Sequence, residues 1–336
     1  MKIRLCSLVA MLLCSVAFFT SCADRPADEK RIIVAYVTSW SDVMPDPTVM
    51  THINYAFGHV NDTFDGLRIS KPDRLRQIVA LKSDNPDLKV VLSIGGWESG
   101  RFSEMAADSL LRLSFAEDCL KAVEDFGLDG IDIDWEYPTS SAAGISSSPD
   151  DRENFNLLMR DLRSVLGEDR LLTLASSAYA EYIDFRSCIG YLDFVNIMAY
   201  DMADAPRHHA PLYGSDNTKG TCEGAVKAHI DAGVPASKLV LGMPFYGRGG
   251  TAMPHFVDYK RIKDHAEMVE MWDEAAQAPY LADEEGVLVL GFDNPESLKL
   301  KCDYIKKNGL LGAMYWDYNG DNESGDLQNT LAEELL

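Results

Sequence analysis

The chain of 336 residues is short of positive charge: 31 lysines and arginines stand against 53 aspartates and glutamates, a net charge of -22. Such a chain repels phosphate backbones and anionic headgroups, which excludes nucleic acid as a partner. Its seven cysteines form no Cys-x-x-Cys pair and sit at no Cys/His ligand spacing, so neither a zinc site nor a disulfide framework is indicated. There is no repeat with a period of roughly 20 to 50 residues, no low-complexity tract, and no apolar run long enough to span a bilayer. The sequence does have an ordinary globular composition, 46% hydrophobic and 25% charged, enough to bury a large core without cofactor or metal.

At the amino end, Lys2 and Arg4 precede an apolar run from Leu5 to Phe19 and the small residues Thr20 and Ser21. This is the pattern of a secretory signal over residues 1–21. Cys22 resembles the lipid-accepting cysteine of bacterial lipoproteins, with residues 22–30 as a tether; cleavage after Ala23, releasing a soluble protein, is the alternative. The expectation is an exported protein of the cell envelope, periplasmic or surface-facing, lipid-anchored through Cys22 and monomeric. Beyond the tether, Cys119, Cys188, Cys222 and Cys302 read as small buried hydrophobes.

Eight short apolar runs follow, at residues 31–37, 52–58, 89–96, 129–135, 171–178, 191–200, 238–246 and 310–316, mostly separated by segments of helical apolar spacing. Ser148-Pro149-Asp150-Asp151 predicts one helix start, Asn294-Pro295 another, and Asn308-Gly309 a helix end. Eight near-continuous apolar strands alternating with helices point to an α/β fold, a closed (β/α)8 TIM barrel over residues 31–336, with an open doubly wound sheet as the alternative. The serine-rich segment 140–150 reads as a mobile connector.

The sharpest feature is Phe126-Gly-Leu-Asp-Gly-Ile-Asp-Ile-Asp-Trp-Glu-Tyr-Pro138, in which Asp132, Asp134 and Glu136 recur at spacing two. In a strand they share one face, while Ile131, Ile133 and Trp135 occupy the other. The acids would therefore point into the barrel, where burial and mutual repulsion raise carboxyl pKa values. An EF-hand reading fails, because Tyr137 stands where glycine and Ala143 where an acid would be needed. Acid and base chemistry remains, with Glu136 at the carboxyl end of the strand, where barrel enzymes carry their catalytic groups, and Asp134 one step deeper.

Asp129-Gly-Ile-Asp-Ile-Asp-Trp-Glu-Tyr-Pro138 resembles the DxxDxDxE signature of the family 18 glycoside hydrolases, the chitinases and their relatives. The resemblance extends to Tyr36 on the first strand, Ser93-Ile94-Gly95-Gly96-Trp97 on the third, Met198-Ala199-Tyr200-Asp201 on the sixth, Pro244-Phe245-Tyr246-Gly247-Arg248 on the seventh and Trp316 on the eighth. It implies a retaining cleavage between N-acetylglucosamine units in which the substrate's own acetamide is the nucleophile. Glu136 would be the general acid, with Asp134, Asp132 and Tyr200 catalytic beside it. Trp316, Trp97, Asp201, Tyr246, Met198, Tyr36, Ser93, Tyr137 and Arg248 would bind substrate. Met198 and Phe57 fit lining or simple packing equally, and His209 fits either a site position or an ordinary surface histidine. The substrate could be chitin or its oligosaccharides, or the chitobiose core of N-glycans; a non-catalytic chitin lectin is a further alternative, which the presence of Glu136 opposes. Between the seventh and eighth strands, residues 250–293 would supply both local helices and a reduced form of the family's cleft-walling insertion, a low wall that favours soluble oligosaccharides over crystalline chitin.

Overall fold

The computed structural model describes residues 31–336. Signal, tether and Cys22 lie outside the described residues. The eight apolar runs form the strands β1 (Ile32–Thr38), β2 (His52–Val60), β3 (Lys89–Gly95), β4 (Gly130–Asp134), β5 (Leu171–Ser177), β6 (Phe194–Met198), β7 (Leu239–Pro244) and β8 (Gly312–Trp316). Each pairs in parallel with its neighbours, and β8 pairs with β1 (Gly312 opposite Ile32), which closes the sheet into a barrel. A three-residue strand, Leu67–Ile69, adds an antiparallel hairpin to β2.

Two apolar layers follow from the strand alternation. On β1, Ile33, Ala35 and Val37 face outward into the main core beneath the helices, while Val34 and Tyr36 turn inward to a smaller cluster with Ala56, Phe57, Phe194, Val240 and Met314. Half-buried Met198, Tyr200 and Trp316 pack on that inner cluster. The outer face of the carboxylate strand is sealed by Trp135, stacked on Phe102 at 5.3 Å and 12°.

Helix punctuation follows the sequence with one shift. Asn294 caps the helix Pro295–Lys307 in a reciprocal capping box with Ser297, and Asn308 ends it ahead of Gly309 at φ 65°. The helix expected to open at Ser148 instead spans Asp151–Leu166. The Asp151 carboxylate is buried there and accepts bonds from Ser103 Oγ and from the backbone of Thr139 and Ser148, an arrangement that places it inside the first turn and Ser148 outside. The serine-rich segment is a packed loop, not a loose connector, because Ala143 and Ile145 are buried in the main core. All four described cysteines are free and buried.

Between β7 and β8 the chain builds a five-stranded antiparallel sheet: Tyr246–Gly249, Val257–Asp258, Val269–Asp273, Ala278–Ala282 and Leu288–Gly291. The local helices expected there shrink to the single turn Tyr259–Ile262. Met253, Val257, Ile262, Leu281, Val289, Leu290 and Phe292 form an apolar core of their own under this sheet and the adjoining helical turn. A fully buried ion pair, Lys301 Nζ to Asp293 Oδ2 at 2.5 Å, ties its last segment to the following helix, and the same ammonium donates to the Ala210 carbonyl at 2.8 Å.

Candidate active site

At the carboxyl ends of the barrel strands lies a cleft of about 760 Å3. Eleven of the expected site residues line it: Tyr36, Trp97, Asp134, Glu136, Tyr137, Met198, Tyr200, Asp201, Tyr246, Arg248 and Trp316. Asp132 and Ser93 do not. Both are wholly buried beneath its floor, so Ser93 cannot touch a bound substrate as its grouping with the binding residues supposed; it donates to Asp132 instead.

The acid row has three unlike environments. Asp132 accepts four hydrogen bonds, from Tyr36 Oη (2.8 Å) and Ser93 Oγ (2.8 Å) on one oxygen and from Thr173 Oγ1 (2.6 Å) and Asn196 Nδ2 (3.3 Å) on the other. Burial raises its pKa, and these donors pull the other way. Asp134, 3% exposed, is pushed well above the usual carboxylate range by burial and then by the charges of Glu136 and Asp132. Its Oδ1 is buried with no hydrogen-bond partner. Ladder pairing of β4 ends at Asp134, so Glu136 stands beyond the strand proper, in the cleft. Burial lifts it to about 7, against a lowering hydrogen bond from Tyr137 and with a further push from the Asp201 charge. The row therefore offers one saturated carboxylate below, one unsatisfied carboxyl in the middle, and one carboxyl on top that is poised to hold or release a proton near neutral pH.

The glycines of the third-strand motif make this packing possible. A Cβ on Gly95 would lie 1.9 Å from the Asp134 carbonyl oxygen, and one on Gly96 would strike the Phe57 ring at 2.7 Å. Both residues have positive φ, 131° and 91°, which glycine adopts without strain. The peptide bonds Ala56–Phe57, Glu136–Tyr137 and Trp316–Asp317 are cis.

Aromatic rings shape the rest. Trp316 stacks on Phe57 (5.7 Å, 18°) and leans on Tyr36 (5.7 Å) and Trp40 (6.2 Å), which makes a continuous apolar floor. Tyr137 stacks on Tyr182 at 4.6 Å and 7°. From the inserted sheet, Tyr246 stacks on Phe256 at 4.3 Å, and the Arg248 guanidinium lies over both rings. Asp201 joins the two sides: it accepts from Tyr246 Oη (2.8 Å) and from Arg248 Nε (2.6 Å) and Nη2, with His209 Nδ1 at 3.3 Å behind it. Burial opposes its ionisation, but the Arg248 and His209 contacts outweigh it and hold the carboxyl far below its ordinary value. His209 is buried and supports Asp201 from behind the cleft. Tyr200 is pushed well above its ordinary pKa by burial and by Asp134, so its hydroxyl stays protonated.

Phe57 does line the cleft, and Trp40, Tyr179, Glu181, Tyr182, Asp204, His255 and Phe256 join it unforeseen. A signal existed for Trp40, which stands two residues beyond the carboxyl end of β1. None existed for His255 or Phe256, which a sheet not read from the sequence carries to the cleft.

The sequence profile described as Glycosyl hydrolases family 18 matches residues 32–321. Among characterised proteins, the chain is 31% identical to Chitinase A1 of Niallia circulans, with 93% of this chain and 60% of that one covered. It is 30% identical to Chitinase 1 of Aphanocladium album, with 90% and 78% covered. Among solved structures, it is similar to a glycoside hydrolase family 18 N-acetylglucosaminidase from Paenibacillus barengoltzii at 34% identity and a TM-score of 0.82, with 91% of this chain and all of that chain covered.

Proposed function

From the premise that this chain belongs to glycosyl hydrolases family 18, we propose that it hydrolyses β-1,4 bonds between N-acetylglucosamine units by a substrate-assisted, retaining mechanism. The observation that carries this reading is the orphaned Oδ1 of Asp134: a buried acceptor without a donor, between a saturated Asp132 and a titratable Glu136. Leaving such an atom unpaired costs roughly 1–3 kcal/mol, and an amide N–H of a bound substrate would remove that cost.

In the proposed reaction, Glu136 enters protonated and gives its proton to the glycosidic oxygen as the bond to the anomeric carbon breaks. The acetamide carbonyl oxygen of the same sugar attacks that carbon from the opposite face and forms an oxazolinium ion. Asp134 accepts the acetamide N–H on its unpaired Oδ1 and orients the group for attack. Tyr200 donates its hydroxyl to the acetamide oxygen. Water, deprotonated by Glu136, then opens the ion and restores the original anomer. Asp132 stays beneath, its charge spread over four donors, and sets the field in which Asp134 and Glu136 share protons. Trp316 and its neighbours would hold the distorted ring, and Trp97, Asp201, Tyr246 and Arg248 the units beside it.

The curated relatives carry the name chitinase, which supports chitin-type oligosaccharides over the chitobiose core of N-glycans; the name N-acetylglucosaminidase of the solved structure fits either substrate. The proposal includes export and a lipid anchor on Cys22, which rest on the sequence pattern alone; no helix of the described residues is long and apolar enough to cross a membrane. The test is incubation of the protein with chitooligosaccharides and, separately, with a high-mannose glycoprotein, followed by mass analysis. Cleaved chitooligosaccharides with an intact glycoprotein are expected. Release of glycans split within the chitobiose core would replace this substrate with the other, and no cleavage of either would reject the proposed activity.

A further inference from the structure

Trp40, a cleft aromatic outside the motifs traced above, stands on a loop that is buried at Ser39 and Ser41 and turns to solvent just beyond them. Asp42, Val43 and Met44 are exposed, and a pocket of about 450 Å3 adjoins them, lined also by Lys71, Asp73, Arg74 and Gln77. The ring itself is 58% exposed and reaches the cleft floor at Trp316. The loop's own apolar packing is limited to the Trp40 contacts with Phe57 (6.3 Å) and Trp316 (6.2 Å) and to buried Pro45.

Arg74, in the first turn of the helix Pro72–Ala80, is 8% exposed and has no carboxylate at ion-pair distance among the described residues. Its guanidinium is turned on backbone instead. Nη2 donates to the Val43 carbonyl at 2.7 Å, Nε reaches the Thr38 carbonyl at 3.4 Å, and Nη1 lies 3.8 Å from Met44 Sδ. Thr38 ends β1 and Val43 lies three residues past Trp40, so one planar group grips the loop on both sides of the ring. Other bonds hold the stems, Ser39 N–H to the Ala56 carbonyl at 2.6 Å and Asp46 N–H to Tyr318 Oη at 2.9 Å, and two local ones lie within the loop, Ser41 N–H to the Thr38 carbonyl at 3.4 Å and Val43 N–H to Ser41 Oγ at 3.2 Å; Arg74 is the side chain that reaches the loop's middle from another element. Burying a guanidinium without a counter-charge is unfavourable, and here its donors are directed to the loop. The rigid fork of arginine suits two divergent carbonyls, whereas the single ammonium of lysine cannot reproduce it.

We propose that Arg74 is a positioning residue: it clamps the Thr38–Val43 loop so that Trp40 is presented, preorganised, to the sugar unit next to the one over Trp316. Fixing the platform before binding removes an ordering cost from association and leaves the bond-breaking step untouched. The kinetic consequence rests on the proposed sugar-cleaving activity; the structural consequence does not.

The experiment compares the parent with Arg74→Lys, Trp40→Ala and the double variant. On chitopentaose, Arg74→Lys should raise KM roughly fivefold, about the loss expected from one charge-assisted hydrogen bond partly replaced, with kcat within about twofold. The KM for the shortest oligosaccharide cleaved should hold. Trp40→Ala should do the same, and the double variant should be no worse than Trp40→Ala. In the protein without substrate, Arg74→Lys should change acrylamide quenching of tryptophan emission, and that change should vanish in a Trp40→Phe background. Arg74→Gln serves as the second variant where lysine lowers the yield of folded protein. Losses that multiply in the double variant, a fall in kcat equal for all chain lengths, or a quenching change that persists without Trp40 would overturn the clamp. A parent inactive on every oligosaccharide would defeat the proposed activity, while the quenching measurement would still decide the clamp.

Discussion

Replacing Tyr137 with phenylalanine isolates one hydrogen bond at the proton donor. The ring is held against Tyr182 at 4.6 Å and 7°, so the substitution deletes the hydroxyl and leaves the stack. Burial lifts Glu136 to about 7, while the Tyr137 hydroxyl, donating to the carboxylate, pulls it down. A hydrogen bond to a charged group contributes about 1.5 kcal/mol at the low end of its range, and 1.36 kcal/mol corresponds to one pKa unit. Its loss should therefore raise Glu136 by about one unit. The acid works in its protonated form, so rates fall as pH rises through its pKa, and the limb of kcat/KM reports the free enzyme. That alkaline limb should move from near pH 7 to roughly pH 8. The assay is initial rate on chitotetraose at low substrate across the neutral and alkaline range, parent against Y137F. A limb that stays in place, or shifts to lower pH, would refute the assignment of Glu136 as the acid under the control of Tyr137.

Glu136→Gln should lose roughly a hundredfold or more in turnover, the scale of general acid catalysis, while calorimetry still shows oligosaccharide binding; turnover near that of the parent would remove Glu136 from its role. Lys301→Met leaves Asp293 buried without its cation, and should lower stability by about 3–5 kcal/mol in urea unfolding. Adding Asp293→Asn should recover part of that loss, and a double variant as weak as the single one would show that the pair acts through packing alone.

The barrel was legible because its eight strands are apolar runs alternating with helical segments, six of them ending near a motif residue; the same alternation fits an open doubly wound sheet, and the pairing of β8 with β1 is what closes it. The acid row was legible for the same reason: a period of two in a strand assigns Asp132 and Asp134 to one face whatever their partners. Of the partners of Asp132, Tyr36 and Ser93 carry motif positions that mark them as its neighbours, while Thr173 and Asn196 carry none. Ser93 carries a motif position, yet only the register of β3 beside β4 shows that it is sealed beneath the floor. The inserted sheet was hidden because its strands are short, its edge strand Val269–Asp273 is largely exposed, and His265-Ala-Glu-Met-Val-Glu-Met-Trp-Asp-Glu-Ala-Ala276 spaces its apolar residues in a way that also fits a helix. Trp40 was missed for want of a motif, although its place just past a barrel strand marked it.

The most direct test of the substrate-assisted reading is the anomeric form of the new reducing end, followed by proton NMR in the first moments after cleavage of a chitooligosaccharide, before mutarotation. Attack by the acetamide and then by water inverts the carbon twice, so the account predicts the β anomer. An initial product in the α form would mean a single displacement by water, and would contradict the role given to Asp134 and its unpaired oxygen.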